Sequence, residues 1–584
     1  MKQVLAAIAM VGFAAFAQPQ QGPWSEQPPL AGQPGGPNQP PPDSDPGAAE
    51  HGVARISFIT GNVSVRRGDS ADLSAAVVNA PLTAGDRVVT GDGGRAEVQL
   101  DYANFFRLAP SSEVRLGELQ RGRYQIQIAA GSIVYRVLRD SNAQVEISTP
   151  SISLRPLRTG VYRVDLHPDG ITEITLRNGA EGEVFGPRGS EPIHNNSAMM
   201  VRGSADDPEF QMTTPAAEDD FERWSASRDQ TLLRAASPGR VNRDIYGTED
   251  LDPYGRWVND GVYGPVWVPA VGPGWAPYAC GRWVWIDYYG WTWLGCEPWA
   301  WAPYHFGRWY FGAFGWAWWP GPVYGGVFWR PALVGFFGWG APGFGVSVGF
   351  GWGFANIGWV PLAPYERFRP WWGPAGYGGA VVNVNVVSLY RNARVANGVT
   401  SIRAAEFGRA GVTPATMVRA SASDLARAGA VNGRLPFPVA RESRQFSSAR
   451  PNTAGIPRTA ENTRFFSSAA FRTGGAMRAG GVRGAEAGPA RANPGGWQRM
   501  NPAGGGAGWQ RFPAGENRPA PRYAPQPQVR INPSIVQNPG SQGRGGYSRA
   551  PFSVPRGGGA PRGGGSAPRG GGGSRSSGHG GHRQ

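Results

Sequence analysis

The sequence predicts a mainly β protein: a β-sandwich or roll, then a Trp- and Gly-rich domain of repeated β-hairpins, with long disordered flanks. Between residues 54 and 187, short segments alternate apolar and polar side chains, which is the period of a half-buried strand. From residue 255 onward, Trp-rich sequence repeats every 26 residues. Gly and Pro make up 88 and 54 of the 584 residues, which indicates low-complexity sequence in part of the chain. A single packed enzyme of this length is therefore not expected.

The first 52 residues predict export followed by an extended linker. Lys2 precedes an apolar run at residues 4–16, and residues 15–17 form the small-x-small cleavage site of a signal peptide that ends at residue 17. The run is too short to cross a bilayer as a mature helix. We therefore expect a periplasmic, cell-surface or secreted protein that is not transmembrane after cleavage. Residues 18–52 are rich in Pro and Gly and predict a linker without a core.

Residues 53–200 predict the first β domain. Turn pairs such as Asp92-Gly93, Asp169-Gly170 and Asn178-Gly179 separate its alternating segments and favour antiparallel strands. The segments are 56–58, 96–100, 124–128, 145–147, 161–166 and 171–176.

Several motifs of this region resemble the FecR domain. In chain order they are Gly85-Asp86, Thr90-Gly91, Arg95-Ala96-Glu97, Thr149-Pro150, the run 158–164 and Asn178-Gly179. The resemblance implies a β-rich, non-catalytic sensor or interaction domain. Regulators of that type carry a cytoplasmic anti-sigma segment and a transmembrane helix before the domain, whereas a cleavable signal is predicted here. This departure argues against direct signalling to a sigma factor.

Residues 216–236 predict a connecting helix. Phe221, Trp224, Leu232 and Leu233 lie near one face, and acidic residues occupy the first turn, where they favour the helix dipole.

Residues 245–410 predict a Trp-rich repeat domain with 26-residue repeats starting at 255, 281 and 307. Residues 254–372 contain 19 of the 23 Trp. Gly-Arg-Trp recurs at 255, 281 and 307, and Trp-Ala-Pro-Tyr recurs at 275 and 301. Recurring motifs that share one period indicate a repeated structural unit. Each unit is predicted to contain a strand, a Gly-containing turn and a second strand. Beyond the repeats, bulky residues alternate with Gly or Ser over 343–354 and predict one more strand.

The two cysteines fall in the second repeat. A four-residue loop at 287–290 would pair Ile286 with Trp291 and place Cys280 nearly opposite Cys296. In an exported protein, a disulfide across this hairpin is feasible. Two unpaired thiols or a metal site are the alternatives, although the pair lacks a convincing set of further ligands.

The sequence around the repeats is similar to a Trp-rich domain of unknown function that often follows FecR-like domains in bacterial envelope proteins. The similarity runs from about residue 221 to residue 409 and includes the Glu-Asp-Leu-Asp sequence at 249–252. It implies a partner domain for the FecR-like domain without naming an activity.

Repeated aromatic residues are the candidates for ligand binding, because Trp and Tyr offer rigid stacking surfaces for sugars. The candidates are Trp257, Trp267, Trp283, Trp293, Trp309, Trp318, Tyr278 and Tyr304. The alternative is that they fill the core which the units share, as residues at a repeated position usually do. We predict no catalytic residue, metal or cofactor, since the six His residues form no convincing catalytic or metal motif.

Residues 431–584 predict a disordered tail rich in Arg, Gly and Pro. From residue 401 to the end there are 26 Arg and six acidic residues. Outside the cell, such a tail is expected to meet an anionic polymer or lipid surface and no specific nucleic acid. A merely solvated linker is the alternative.

Together these features predict a non-enzymatic envelope protein that acts as a binding or scaffold module. Its partner would be an envelope glycan or an envelope protein, bound through aromatic faces. The alternative is an extracytoplasmic sensor that acts with a separate membrane signalling protein.

Overall fold

A computed structural model describes residues 50–340, 354–373, 380–383, 385–474 and 508–513. The predicted signal peptide, nearly all of the linker, the strand predicted over 343–354 apart from its last residue, and most of the tail lie outside the described residues. The described residues are mainly β, as the sequence predicts.

Strands from residue 54 to residue 213 build the first β domain. They are β1 (Ala54–Thr60), β2 (Val63–Arg66), β3 (Leu73–Ala75), β4 (Pro81–Leu82), β5 (Arg87–Thr90), β6 (Arg95–Gln99), β7 (Asn104–Leu108), β8 (Glu113–Gln120), β9 (Arg123–Val137), β10 (Gln144–Ser148), β11 (Ser153–Pro156), β12 (Gly160–Leu166), β13 (Thr172–Arg177), β14 (Gly182–Phe185), β15 (Ser190–Ile193), β16 (Ser197–Gly203) and β17 (Pro208–Thr213). Each alternating segment of the sequence falls in one of these strands to within one residue at its ends. The domain extends beyond the predicted boundary at residue 200, because β16 and β17 form its last hairpin.

The long strand β9 joins the two layers of the domain. Its first half pairs with β8 and β10, and its second half pairs with β7 and β12. Gly131 lies at the transition with φ +77, and a Cβ there would be 2.3 Å from the Ser112 hydroxyl. One layer therefore runs β4–β1–β6–β7–β9–β12–β13–β16–β17 and the other β3–β2–β5–β8–β9–β10–β11–β14–β15. All of these pairings are antiparallel except β9 with β10, which confirms the predicted sandwich or roll.

Helix α1 (Asp220–Arg234) packs on this domain through ion pairs. Asp219 caps its N-terminus by accepting from the Glu222 backbone N–H. Buried Asp229 pairs with Arg107 at 2.7 Å and with Arg136 at 2.6 Å. The helix is shorter than the predicted range 216–236, and Leu233 is 49% exposed, so it does not belong to the buried face.

The Trp-rich domain follows. Its strands are β18 (Gly255–Asp260), β19 (Gly264–Pro269), β20 (Gly281–Ile286), β21 (Gly290–Gly295), β22 (Arg308–Gly312), β23 (Gly315–Trp319), β24 (Val334–Trp339), β25 (Asn356–Pro361), β26 (Ala380–Asn383), β27 (Thr400–Arg403) and β28 (Gly429–Asn432). Short helices in the rest of the chain are α2 (Trp301–His305), α3 (Val386–Leu389), α4 (Ala422–Ala426) and α5 (Ala469–Gly474), of which α5 lies against the first β domain. The 3-10 turns are Ser237–Arg240, Thr248–Asp250, Asp252–Tyr254, Arg391–Arg394, Ala404–Glu406 and Glu442–Arg444.

Each 26-residue repeat is one β-hairpin. The first hairpin (β18–β19) and the third (β22–β23) combine into a four-stranded sheet, where Trp267 lies opposite Trp318. The second hairpin (β20–β21) stands apart as a two-stranded sheet. A five-stranded sheet in the order β26–β28–β24–β25–β27 completes the domain. Strand β28 takes this sheet past the predicted boundary at residue 410.

The second hairpin joins the cores of the two domains. One face carries Trp283, Trp285, Trp291 and Trp293 and packs into the Trp-rich core. Residues of its other face, including Val284, Ile286 and Leu294, belong to the core of the first β domain. Because adjacent residues of a strand point to opposite faces, the alternation of Trp with smaller residues lets one hairpin serve both cores.

The Glu-Asp-Leu-Asp sequence at 249–252 anchors the Trp-rich domain to its neighbours. Asp250 accepts a hydrogen bond of 2.5 Å from the buried guanidinium of Arg55 in β1. Asp252 accepts from the backbone N–H of Ala236 and from the Ser237 hydroxyl, after α1. Leu251, which is fully buried, belongs to the Trp-rich core. This sequence therefore fixes the junction between the two domains.

Cys280 and Cys296 form a disulfide in the structure, with their Cα atoms 5.5 Å apart. The predicted four-residue loop is wrong by one position: Ile286 pairs with Gly290, the loop is 287–289, and Tyr288 adopts φ +66. With this register, Gly281 pairs with Gly295. Cys280 directly precedes Gly281 and Cys296 directly follows Gly295, so the disulfide lies just beyond the open end of the hairpin.

Replacing both cysteines with serine is expected to lower the free energy of unfolding by about 3 kcal/mol, because the crosslink closes a loop of ~15 residues in the unfolded chain. Urea denaturation of the wild type and of the Cys280→Ser, Cys296→Ser variant measures the difference. Reductant should lower the wild-type midpoint and leave the variant unchanged. Equal midpoints for the oxidised wild type and the variant would contradict a stabilising role.

Residues 440–474 wrap around the first β domain. Phe446 is 2% exposed, belongs to the core of that domain, and donates its backbone N–H to the Ser74 hydroxyl at 2.9 Å. Phe466 donates its backbone N–H to the Thr149 carbonyl, also at 2.9 Å. The prediction of a disordered tail from residue 431 therefore fails for residues 431–474, because regularly placed Phe side chains find buried positions. Residues 475–507 and 514–584 lie outside the described residues.

Candidate functional site

The aromatic residues that the repeat singled out form cross-strand pairs. Trp257 lies opposite Trp267, Trp283 opposite Trp293, and Trp309 opposite Trp318, one pair in each hairpin. All of them except half-buried Trp257 are at most 1% exposed. The repeated position therefore serves packing inside the domain.

Tyr278 and Tyr304 are also fully buried. The Tyr278 hydroxyl donates to the Tyr304 carbonyl at 2.7 Å and accepts from the Leu333 backbone N–H at 3.1 Å. The Tyr304 hydroxyl donates to the Glu297 carboxylate at 3.0 Å. Seven of the eight predicted ligand-binding residues are thus core residues, and a ligand cannot reach them without opening the domain.

A further group of rings lies on the opposite face of the four-stranded sheet and in the loops beside it. We call Tyr263, Tyr310, Trp319 and Tyr365, all half-buried, the outer aromatic cluster. Their ring centroids are 4.8 Å apart for Tyr263 and Tyr310 and 5.3 Å apart for Trp319 and Tyr365. The Tyr310 hydroxyl donates to Asp260 at 2.8 Å. Sequence reasoning missed this cluster because it followed the repeated Trp rather than the alternate positions of the same strands.

A cleft of about 430 Å³ opens where the two domains meet. Leu100, Leu119 and Tyr124 line it from the first β domain, and Tyr246 and Trp329 line it from the side of the Trp-rich domain. All five of these side chains are buried or nearly so, and they give the cleft an apolar floor. We call this space the interdomain cleft.

Two arginines stand at the rim of the interdomain cleft. Arg121 pairs with Asp244 and lies over the Phe328 ring at 4.9 Å. Arg243 lies over the Tyr102 ring at 5.8 Å and forms no ion pair within the described ranges. One guanidinium is therefore neutralised, and the other is available to an anion from solvent.

Asp101 lines the cleft, but its carboxylate is engaged in hydrogen bonds to neighbouring residues of the first β domain. It accepts from the backbone N–H groups of Ala103 and Asn104, from the Asn104 amide, and from the Tyr124 hydroxyl at 2.7 Å. Burial raises the pKa of Asp101, and these hydrogen bonds oppose the rise. Since a carboxylate has about four lone-pair sites, Asp101 is saturated and is a poor candidate for a catalytic acid or base.

The Trp329 indole N–H is buried and has no hydrogen-bond partner among the described residues. Its ring stacks on His305, with centroids 4.8 Å apart. Burial lowers the pKa of His305 to about 3, although its hydrogen bond to the Arg330 carbonyl opposes this, so His305 is neutral at pH 7. The cleft thus combines an apolar floor with one guanidinium that has no ion-pair partner among the described residues.

Comparison with known families identifies both domains. Residues 86–180, the centre of the first β domain, match the FecR protein family. Residues 248–366 match DUF6600, a family of unknown function. The chain contains a FecR domain and a DUF6600 domain. Below, these names stand for the first β domain and the Trp-rich domain that hold the two matches. The FecR match fits an extracytoplasmic regulatory or sensor role, in a family that is regulatory rather than catalytic.

Two crystal structures of a candidate anti-sigma factor from Parabacteroides distasonis ATCC 8503, at 2.50 and 1.65 Å resolution, are similar to part of the chain. Identities are 17% and 16%, and both TM-scores are 0.21. The matches cover 24% of this chain and 63% and 64% of those chains, so less than two thirds of that protein is spanned. No curated protein matches the chain.

Two further properties bear on the kind of site. Within the described ranges, no cluster of three or more His, Cys, Asp or Glu side chains could hold a metal ion. No helix in the part of the chain that the structure describes is both long and apolar enough to cross a membrane.

Proposed function

We propose that the protein is a non-catalytic binding module of the cell envelope, and that the interdomain cleft is its ligand site. The observation that carries this proposal is a cleft of about 430 Å³ that the FecR and DUF6600 domains form jointly. Small-molecule sites commonly lie between domains and have volumes of this order. A ligand there would contact both domains at once.

The chemistry of the cleft suits a carboxylated sugar, such as a unit of an anionic envelope glycan. Tyr246 and Trp329 offer aromatic surface to the apolar face of a sugar ring. Arg243 offers a planar guanidinium that can hold a carboxylate with two hydrogen bonds.

The binding of N-acetylmuramic acid tests this proposal, with N-acetylglucosamine as the matched ligand that lacks the carboxylate. We expect titration calorimetry of the full chain to show preferential binding of the acid. Arg243→Ala should abolish the preference, because it removes the only cleft guanidinium without an ion-pair partner among the described residues. Arg240→Ala is the matched control: it removes an equally exposed arginine three residues away, outside the cleft.

Lack of binding of either sugar to the wild type, or an equal effect of the two arginine variants, would contradict the assignment of the cleft. The broader role in binding is then judged by cosedimentation of the full chain with isolated cell walls and outer membranes. Retention at high salt would indicate recognition by the folded domains, since salt screens charge but leaves stacking in place. Retention that vanishes with salt would instead make the Arg-rich tail an anchor on anionic polymers or lipids.

A second candidate function is that of a sensor that acts with a separate membrane signalling protein. The FecR match supports this alternative. The outer aromatic cluster is a half-exposed surface that suits a protein partner, since Tyr and Trp are enriched at interfaces. Failure of the chain to bind sugars, walls or membranes would favour this alternative.

A further inference from the structure

A short C-terminal segment adds a strand to the edge of the FecR domain. Strand β29 (Gln510–Arg511) pairs antiparallel with β17, with Arg511 opposite Glu209 and Gln510 opposite Phe210. Among the described strands, β17 otherwise pairs only with β16. The segment therefore covers backbone groups that would be left open at a sheet edge.

Side chains of this segment make specific contacts as well. Phe512 is 2% exposed, and its ring centroid lies 4.9 Å from that of Phe210. Gly186 makes room for this ring, because a Cβ there would be 2.9 Å from it. The surface beside Phe210 and Gly186 therefore accommodates a bulky apolar side chain at position 512.

The positions before Phe512 are recognised through charge and stacking. The Arg202 guanidinium lies over the Trp509 ring at 4.1 Å. Arg511 reaches the carboxylates of Asp207 at 3.3 Å and Glu209 at 3.9 Å. The FecR domain therefore binds the sequence Trp-Gln-Arg-Phe through both backbone and side-chain groups, as in peptide recognition by strand addition.

A nearly identical sequence, with Met in place of the final Phe, occurs a second time in the chain. Gly-Trp-Gln-Arg-Phe at 508–512 is preceded by Gly-Trp-Gln-Arg-Met at 496–500. A Pro-Ala pair follows the copy at 508–512 directly and the copy at 496–500 after Asn501. Methionine preserves the large apolar side chain, and its thioether makes favourable contacts with aromatic rings such as Phe210. Every contact group of the bound copy has a counterpart in the second.

We propose that Gly186, Arg202, Asp207, Glu209 and Phe210 form a peptide site that accepts either copy, so that residues 496–500 are its alternative occupant. The bound copy is tethered to α5 by residues 475–507, and the alternative copy would be tethered by residues 475–495. At roughly 3.3 Å per residue, the shorter tether still spans up to about 70 Å. Exchange of the two copies would change the length of tail that extends beyond the FecR domain.

Disulfide trapping across the β17 edge tests the exchange. Glu209→Cys with Arg511→Cys joins two opposite positions of the observed ladder and should crosslink in an otherwise native chain. Glu209→Cys with Arg499→Cys, in a chain that also carries Trp509→Ala and Phe512→Ala, should crosslink because the vacated site takes the second copy. The matched control replaces Arg499→Cys by Gly505→Cys, a position between the two copies.

We expect several-fold more crosslink at position 499 than at position 505, with the linked peptides identified by mass spectrometry. Restoring Trp509 and Phe512 should lower the yield at position 499, because the two copies then compete. Equal yields at 499 and 505, while the 209–511 pair crosslinks, would overturn the alternative occupant. Absence of the 209–511 crosslink would overturn the site itself. Migration as a monomer or as a dimer on a non-reducing gel shows whether the second copy binds its own chain or a neighbouring molecule, and either supports the site.

Discussion

Trp283→Ala is expected to lower the free energy of unfolding by about 3–5 kcal/mol, which is the range for deleting a large aromatic side chain from a core. Trp283 is fully buried, and its ring contacts those of Trp293, Phe336, Trp359 and Phe407 at centroid distances of 4.9–5.5 Å. Its removal leaves a cavity at the point where the second hairpin meets the five-stranded sheet. Urea denaturation of the full chain measures the loss.

Trp285→Ala is the matched control. Trp285 lies on the same face of the same strand but is half-buried, and among the described aromatic contacts its ring has only an edge-to-face contact with Trp291. We expect it to cost about 1 kcal/mol, in proportion to the smaller apolar area that it buries. Similar losses for the two variants would show that the stability of the core depends no more on Trp283 than on Trp285.

The second hairpin also leads us to expect an effect on the FecR domain. Because Val284 and Ile286 belong to the FecR-domain core, loosening the other face of β20 should weaken both domains. Hydrogen exchange should therefore rise in residues 54–213 of Trp283→Ala and remain near the wild-type rate in Trp285→Ala. Faster exchange confined to the DUF6600 domain would show that the two cores are independent.

The sequence allows the hairpins to be predicted but not the side of each hairpin that faces solvent. The 26-residue period identifies three strand–turn–strand units, and the structure contains each of them. Period-two alternation separates Trp309 from Tyr310, but it does not state which of them is covered. That depends on packing between hairpins that are far apart in the chain. As a result the repeat points to the buried Trp residues and gives no sign of the outer aromatic cluster.

The interdomain cleft could not be predicted for a related reason. Its walls come from residues around 51–53, 100–102, 119–124, 141–143, 243–246, 289 and 327–329, which only the docking of the two domains brings together. Arg121 and Arg243 carry no local pattern that separates them from other arginines. The Glu-Asp-Leu-Asp sequence at 249–252 indicates similarity to a family, but its role at the junction depends on Arg55 and Ser237, which only the fold brings next to it.

Residues 440–474 contain a repeated motif with a buried Phe, which the polar composition of this region obscures. Arg-x-Phe-Ser-Ser-Ala occurs at 444–449 and again at 464–469, and the Phe of each copy is buried against the FecR domain. The surrounding Arg, Ser, Pro and Gly residues lower the average hydropathy and predict disorder. Isolated aromatic side chains in a polar segment can nevertheless dock on a domain that is already folded.

Glu97→Gln is expected to cost about 3–5 kcal/mol at pH 7, the range for breaking a buried ion pair by removing one partner. Glu97 is fully buried in β6, and its carboxylate pairs with Arg107 and with Arg228 of α1, both at 2.8 Å. The amide of Gln cannot neutralise the two guanidinium groups. Because Arg107 also pairs with Asp229, the network holds α1 on the FecR domain, and its loss should loosen that helix.

The pH dependence distinguishes loss of this charge from loss of packing. Burial by itself would raise the pKa of Glu97, but Arg107 and Arg228 outweigh it and lower the pKa from 4.5 to about 2. A carboxylate with a depressed pKa stabilises the fold above its unfolded pKa, and this contribution, about 3 kcal/mol, is lost as the pH falls from 4.5 to about 2. Wild type and Glu97→Gln should therefore differ most at pH 7 and converge toward pH 2 in urea denaturation followed by circular dichroism.

Asp220→Asn provides the control, since it removes a carboxylate of the same helix whose ion pair with Arg223 is exposed. An exposed pair of this kind contributes about 0–1 kcal/mol. We expect Asp220→Asn to follow the wild type across the whole pH range. If instead the gap between Glu97→Gln and the wild type stayed constant down to pH 2, the charge of Glu97 would not be what holds α1. The cost would then come from the shape of the side chain, and the ion-pair network would be a consequence of the docking rather than its cause.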